Sequence, residues 1–116
     1  MCYITAAMIK RLSLARRLPG LTSDDFKSHW LGPHAEIARS IPRLRGYVVN
    51  IIPEPGDIGW DGIAETWFDT VDDATAAFTS GPVASMLIAD RPNFIETVKI
   101  VMADEHIVLA PPQREK

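Results

Sequence analysis

Three histidines, His29, His34 and His106, are the side chains best suited to moving a proton near neutral pH. Metal binding is the first chemistry they suggest, and their spacing argues against it. His29 and His34 stand five apart, which misses the three- or four-residue spacing that puts two ligands on one α-helical face. His106 adjoins Asp104 and Glu105, but successive strand residues point to opposite faces. No metal is expected. Nucleophilic catalysis has little support, because there is no G-x-S-x-G turn and the lone Cys2 sits near the chain end. The seven glycines form no phosphate loop, and a flavin or nicotinamide would need a larger domain. A site without any cofactor is what remains.

His34 is the most promising of the three. It follows Pro33, so its ring can enter the space between a helix and a sheet, where a neutral imidazole shuttles protons. Filling the helix break is the competing role, and the pattern alone leaves both open. His29 reads as a solvated helix residue, and His106 as a strand-end residue near a dimer seam. Tyr47 and Thr66 add hydroxyls where strands can face a pocket. Arg11 and Arg45 either pair with a substrate carboxylate or are solvated at the surface. Aromatics such as Phe26, Trp30, Trp67, Phe68 and Phe94 default to the core, while Trp60 lies in a glycine-rich loop, over an opening or a partner chain.

These residues need elements to hold them. Leu12 and Leu14 alternate with Arg11 and Ser13, so Ile9–Arg16 reads as a strand ended by Pro19-Gly20. Thr22-Ser23-Asp24-Asp25 caps a helix carrying Phe26, Trp30, Ile37 and Ile41, with a break expected at Gly32-Pro33 and a second piece opened by His34. Tyr47–Ile52 and Gly62–Phe68 are strands, separated by the loop 53–61. Thr70–Asp73 repeats the cap and opens a helix, and Val83–Ile88 forms a short one. Residues 90–93 turn the chain into a last strand, Thr97–Leu109.

The order β-α-β-β-α-β implies an α+β, ferredoxin-like unit, a four-stranded antiparallel sheet with both helices on one face. Strands two and four are apolar on both sides: Val48 and Ile52 against Val49 and Ile51, and Ile100 and Met102 against Val101 and Ala103. A second sheet face of this kind calls for a second copy packed on it, hence a homodimer. The 116 residues suit one domain, with its core at about 8–110, a short N-terminal extension and a charged C-terminal tail. The net charge of −3 and the lack of a basic cluster argue against nucleic acid. No stretch approaches the ~18 apolar residues that span a bilayer. With no signal-peptide pattern and one cysteine, a cytoplasmic protein is expected.

The series I-K-x-L-x-L-x-R-x-x-P-G-L-T-x-x-x-F, then H-W-x-x-x-H, I-P-x-L-R-G-Y, D-G-I-A-E-T-W-F-D and D-E-H-I-V-L resembles the EthD family of small dimeric α/β-barrel proteins. The match runs from about Met8 to Leu109, and the residues before Met8 fall outside it. The resemblance implies paired sheets forming a barrel, a pocket in each subunit, and no metal or organic cofactor. Activities differ within the family, which includes an ether-degradation protein, an isomerase of methyl-substituted muconolactones, and polyketide dehydratases and decarboxylases. Carried over, His34 is the acid or base and Tyr47 matches a pocket-facing tyrosine of the lactone isomerase. Thr66 stands where that enzyme has a cysteine, so thiol chemistry is not implied. Trp30 walls the pocket, and His29 occupies a place more often held by tyrosine. The expected function is a cofactor-independent isomerase or lyase/dehydratase acting on a small unsaturated acid, lactone or polyketide-like intermediate. Tyr47 and Thr66 would bond the developing enolate, while Trp30 and Phe94 would exclude water. A non-catalytic carrier of a hydrophobic metabolite and a cofactor-free quinone-forming monooxygenase are the alternatives.

Overall fold

Alternation along the sequence reappears as alternation in burial. In Gly62–Phe68 every even residue is buried and every odd one half-buried, as a strand covered on one side requires. A computed structural model describes residues 8–54 and 56–113 of the chain. Cys2, the N-terminal extension and the charged end of the tail lie outside these residues.

Four strands, β1 (Ile9–Arg17), β2 (Gly46–Ile51), β3 (Gly62–Phe68) and β4 (Ile95–Asp104), form one antiparallel sheet in the order β2-β3-β1-β4. This is the ferredoxin-like topology expected from the element order. Register places Arg11 opposite Thr66 and Met102, and Tyr47 opposite Thr66, so these side chains share the helix-facing side. Helices α1 (Ser23–His29) and α2 (Ala35–Ala38) are joined by the turn Trp30–His34; α3 (Val71–Thr79) and α4 (Gly81–Asp90) form the second pair. Thr22 and Thr70 cap α1 and α3, accepting from the Asp25 and Asp73 amides at 3.0 Å each.

The bounds of α4 and β4 differ most from expectation. Helix α4 runs from Gly81 to Asp90 rather than Val83–Ile88, because Pro82 fits its first turn and no breaker follows until Pro92. Strand β4 starts at Ile95 and stops at Asp104. No strand pairing beyond Asp104 is present among the described residues, and Ile107, Val108 and Leu109 are exposed. Arg11, for which surface solvation was one expectation, is instead buried at 8% exposure.

The opposite sheet face carries apolar Leu12, Leu14, Val48, Ile63 and Val101 around a polar cluster. In that cluster Lys10 Nζ contacts Glu65 Oε1 and Glu105 Oε2, both at 2.8 Å, and Trp67 Nε1 donates to Glu105 at 2.9 Å. Val48 and Val101 are more than two-fifths exposed in the single chain. No helix among the described residues is long and apolar enough to cross a membrane.

One glycine is required by contact. A Cβ on Gly62 would clash with the Trp30 ring at Cζ3 and lie 3.0 Å from the Asn50 carbonyl oxygen. Gly62→Ala should therefore destabilise the fold by about 1–3 kcal/mol, the usual penalty of overpacking, and urea unfolding reads it directly. An unchanged midpoint would show that Trp30 is not pinned to β3.

Candidate active site

The first helical segment departs from the α-helix where the sequence predicts a break. Pro33 has no N–H to give to the carbonyl four residues back, and its ring crowds the preceding turn. The helix widens instead of stopping. Trp30–His34 is a π-helical turn, and the Ala35 amide reaches back five residues to the Trp30 carbonyl. Helical backbone then continues through Ala38.

That widening changes the helical geometry that the spacing argument assumed, although no group of three or more His, Cys, Asp or Glu among the described residues is placed to hold a metal ion. Positions five apart are neighbours across a π turn, and both rings turn toward one carboxylate. His34 Nδ1 lies 2.8 Å from Asp90 Oδ2, and His29 Nε2 lies 3.0 Å from each Asp90 oxygen. His29 is thus not a solvated helix residue; its side chain is 26% exposed, against 14% for His34. Phe94, fully buried, backs both rings at 4.7 and 4.8 Å between centroids.

Asp90 ends α4 and is the residue that sequence reasoning missed. It lies 56 positions from His34, and nothing local marks it. Burial pushes its carboxyl up, but hydrogen bonds from Asn93, His34 and His29 outweigh that and hold it below the usual range. An ionised carboxylate only accepts, so His34 carries its proton on Nδ1 and keeps its lone pair on Nε2. No hydrogen bond among the described residues engages that nitrogen. Burial lowers the His34 pKa, while Asp90 partly opposes the shift. The ring is therefore a neutral base at pH 7.

His34 borders a partly open cavity with about 50 Å³ of free space between the helices and the sheet. Trp30, Tyr47, Thr66 and Arg11 line it too. Trp30 Nε1 donates to the Tyr47 hydroxyl at 3.1 Å, which leaves the Tyr47 proton available to a ligand. Burial raises the Tyr47 pKa against the lowering effect of Trp30, so the phenol remains a donor. Thr66 donates to the Arg11 carbonyl at 3.2 Å, so its oxygen can only accept from a ligand. Neither Phe94 nor His29 is among the lining residues; both stand behind His34. Arg45 pairs with Asp69 at the surface, His106 with Asp104 just past β4, and Trp60 stacks under Arg16.

Arg11 is electrostatically unusual. Its guanidinium lies 3.6 Å from the Phe78 ring centroid, Nη1 donates to Ser13 Oγ at 2.8 Å, and it forms no ion pair among the described residues. Burial, together with the charge of Arg91, brings its pKa down to about 10 from 12.5.

Residues 18–98 match the EthD domain, and the chain belongs to the EthD family. Solved structures repeat the fold. An ethyl tert-butyl ether D (EthD) family protein from Bacillus halodurans is 21% identical with a TM-score of 0.69, covering 85% of this chain and 99% of its own. A dimeric ferredoxin-like protein of unknown function from Thermobifida fusca is 16% identical with a TM-score of 0.69, covering 90% and 97%. The hydroxynitrile lyase of Passiflora edulis is 13% identical with a TM-score of 0.69, covering 91% and 100%. No curated protein is a significant match to the chain.

The Asp90 contact has a measurable consequence. NMR titration of the His34 imidazole should show a pKa below the ordinary 6.5, and Asp90→Asn should lower it further, since burial persists while the partner that favours the cation is gone. With a depressed folded-state value, His34 stabilises the fold above about pH 6.5, and this is lost as pH falls through that value. A pKa raised by Asp90→Asn would contradict the geometry.

Proposed function

We propose that this EthD protein is a cofactor-independent isomerase or lyase that moves a proton on a small carbonyl compound: an unsaturated acid, a lactone or a polyketide-like molecule. The observation that supports this most is His34, held by Asp90 in the tautomer that leaves Nε2 unengaged at a cavity shared with the Tyr47 hydroxyl. Nε2 takes the proton from the carbon beside the carbonyl, and the electron pair moves onto the carbonyl oxygen. Tyr47 donates to that enolate oxygen, and Trp30 fixes Tyr47 for the task. Asp90 stabilises the imidazolium formed. Return of the proton to another carbon completes an isomerisation; loss of a leaving group from the enolate completes an elimination.

Positioned acid–base groups contribute about 10²–10⁴-fold. Deuterium exchange from D₂O beside the carbonyl, followed by NMR over a panel of unsaturated acids, lactones and 1,3-dicarbonyl compounds, tests the reading. His34→Gln should slow exchange by at least about 100-fold, whereas exchange at the unmodified rate would rule out His34 as the base.

The protein acts as a homodimer in this proposal, the two sheets meeting through the face that exposes Val48 and Val101. The dimeric Thermobifida fusca neighbour supports it, as does the half-apolar character of that face. Light scattering should give twice the chain mass of 12.8 kDa, and a stable species at the single-chain mass would count against it.

A further inference from the structure

The chain carries a net charge of −3, yet the charged side chains bordering its cavity, Arg11 and Arg91, are both cationic. No Asp or Glu is among the lining residues; Asp90 stands behind His34 instead. Neither arginine forms an ion pair among the described residues. A guanidinium at 8% exposure without a carboxylate is rare, because desolvating a charge is costly unless something compensates it. Phe78 and Ser13 compensate only in part: one ring face and one hydrogen bond leave most of the Arg11 N–H fork unused. Among the described residues the fold offers that fork no further partner, and its remaining nitrogens are not sealed off, which leaves the place open to a ligand.

We infer that Arg11 and Arg91 form a carboxylate-binding subsite in the cavity beside His34, so that the substrate is a small organic anion. This rests on the proton-transfer reading only for what happens to the ligand after it binds. A carboxylate suits the place. Its planar pair of oxygens matches the guanidinium fork, and the space of about 50 Å³ favours a small head group. The charge of Arg91 acts on both Arg11 and His34, so it is within electrostatic reach of both. A substrate carboxylate seated there presents its neighbouring carbons to His34 Nε2. Its negative charge also makes the buried Arg11 favourable in the complex, although it is a burden in the empty protein.

NMR titration with 3-butenoate, its uncharged amide and inorganic phosphate, following the indole N–H of Trp30, tests the subsite. The unmodified protein should bind 3-butenoate at least tenfold more tightly than the amide or phosphate. Arg11→Met and Arg91→Gln should each weaken 3-butenoate binding by at least tenfold, and His34→Gln should leave it within about twofold. Arg11→Met should also melt at or above the temperature of the unmodified protein, which shows that its lost affinity is not lost folding. Equal binding of acid and amide, no measurable binding of either, tighter binding of phosphate, or retained affinity in both arginine variants would overturn the inference. If 3-butenoate binds through the arginines while His34→Gln exchanges protons at the unmodified rate, the proton-transfer reading falls and the subsite stands; the converse result separates them the other way.

Discussion

In an α-helix the amide of residue 33 would bond the carbonyl of His29, and proline has no amide hydrogen to offer. The helical segment absorbs this loss by widening for one turn, in which Ala35 reaches back to Trp30. Much of the candidate site follows. Trp30, at the start of the turn, lies on the bare backbone of Gly62 and donates to Tyr47. His34, at its end, comes to lie with His29 against the single carboxylate of Asp90. A regular helix would turn the two rings apart, and a broken one would leave His34 without a fixed position. The π turn is thus what ties α1 to the end of α4.

Charge is sorted around the cavity with the same economy. The carboxylate sits outside, where it orients an imidazole without neutralising the cavity wall, and the cations face in. Had Asp90 lined the cavity, it could have paired with Arg91 or Arg11 and removed the excess of positive charge from the cavity wall. The geometry separates two tasks that one acidic residue could otherwise confuse: setting the tautomer of a base and balancing a buried positive charge. The opposite sheet face handles charge differently. Lys10 is already matched there by Glu65 and Glu105, and no anion is wanted.

Family membership does not supply these details. The Bacillus halodurans, Thermobifida fusca and Passiflora edulis proteins keep the backbone at 21% identity or less. A sheet with helices on one face tolerates wide change as long as its alternation survives, and chemistry resides in the few side chains that border the cavity. That is why the proposed function rests on His34, Tyr47 and Arg11 and not on the fold.

Much of the architecture was legible in the chain itself. Strand β3 follows from its period-two pattern, and α1 and α3 from threonine caps with acids in the first turn, because these are local effects that need no distant partner. His34 was visible through its proline, and Tyr47 and Trp30 through their places in strand and helix. Asp90 was not, since it is 56 residues from the ring it orients and resembles any acid at a helix end. The spacing of His29 and His34 did not reveal that they share one carboxylate, because a count of 3.6 residues per turn does not hold where Pro33 imposes a wider turn. The amino-acid sequence by itself determined the elements, their order and the candidate base. Only the tertiary structure decided which carboxylate holds that base and which arginine is buried without one, because both depend on the approach of α4 to the first helix and of α3 to β1, contacts between segments that no local pattern encodes.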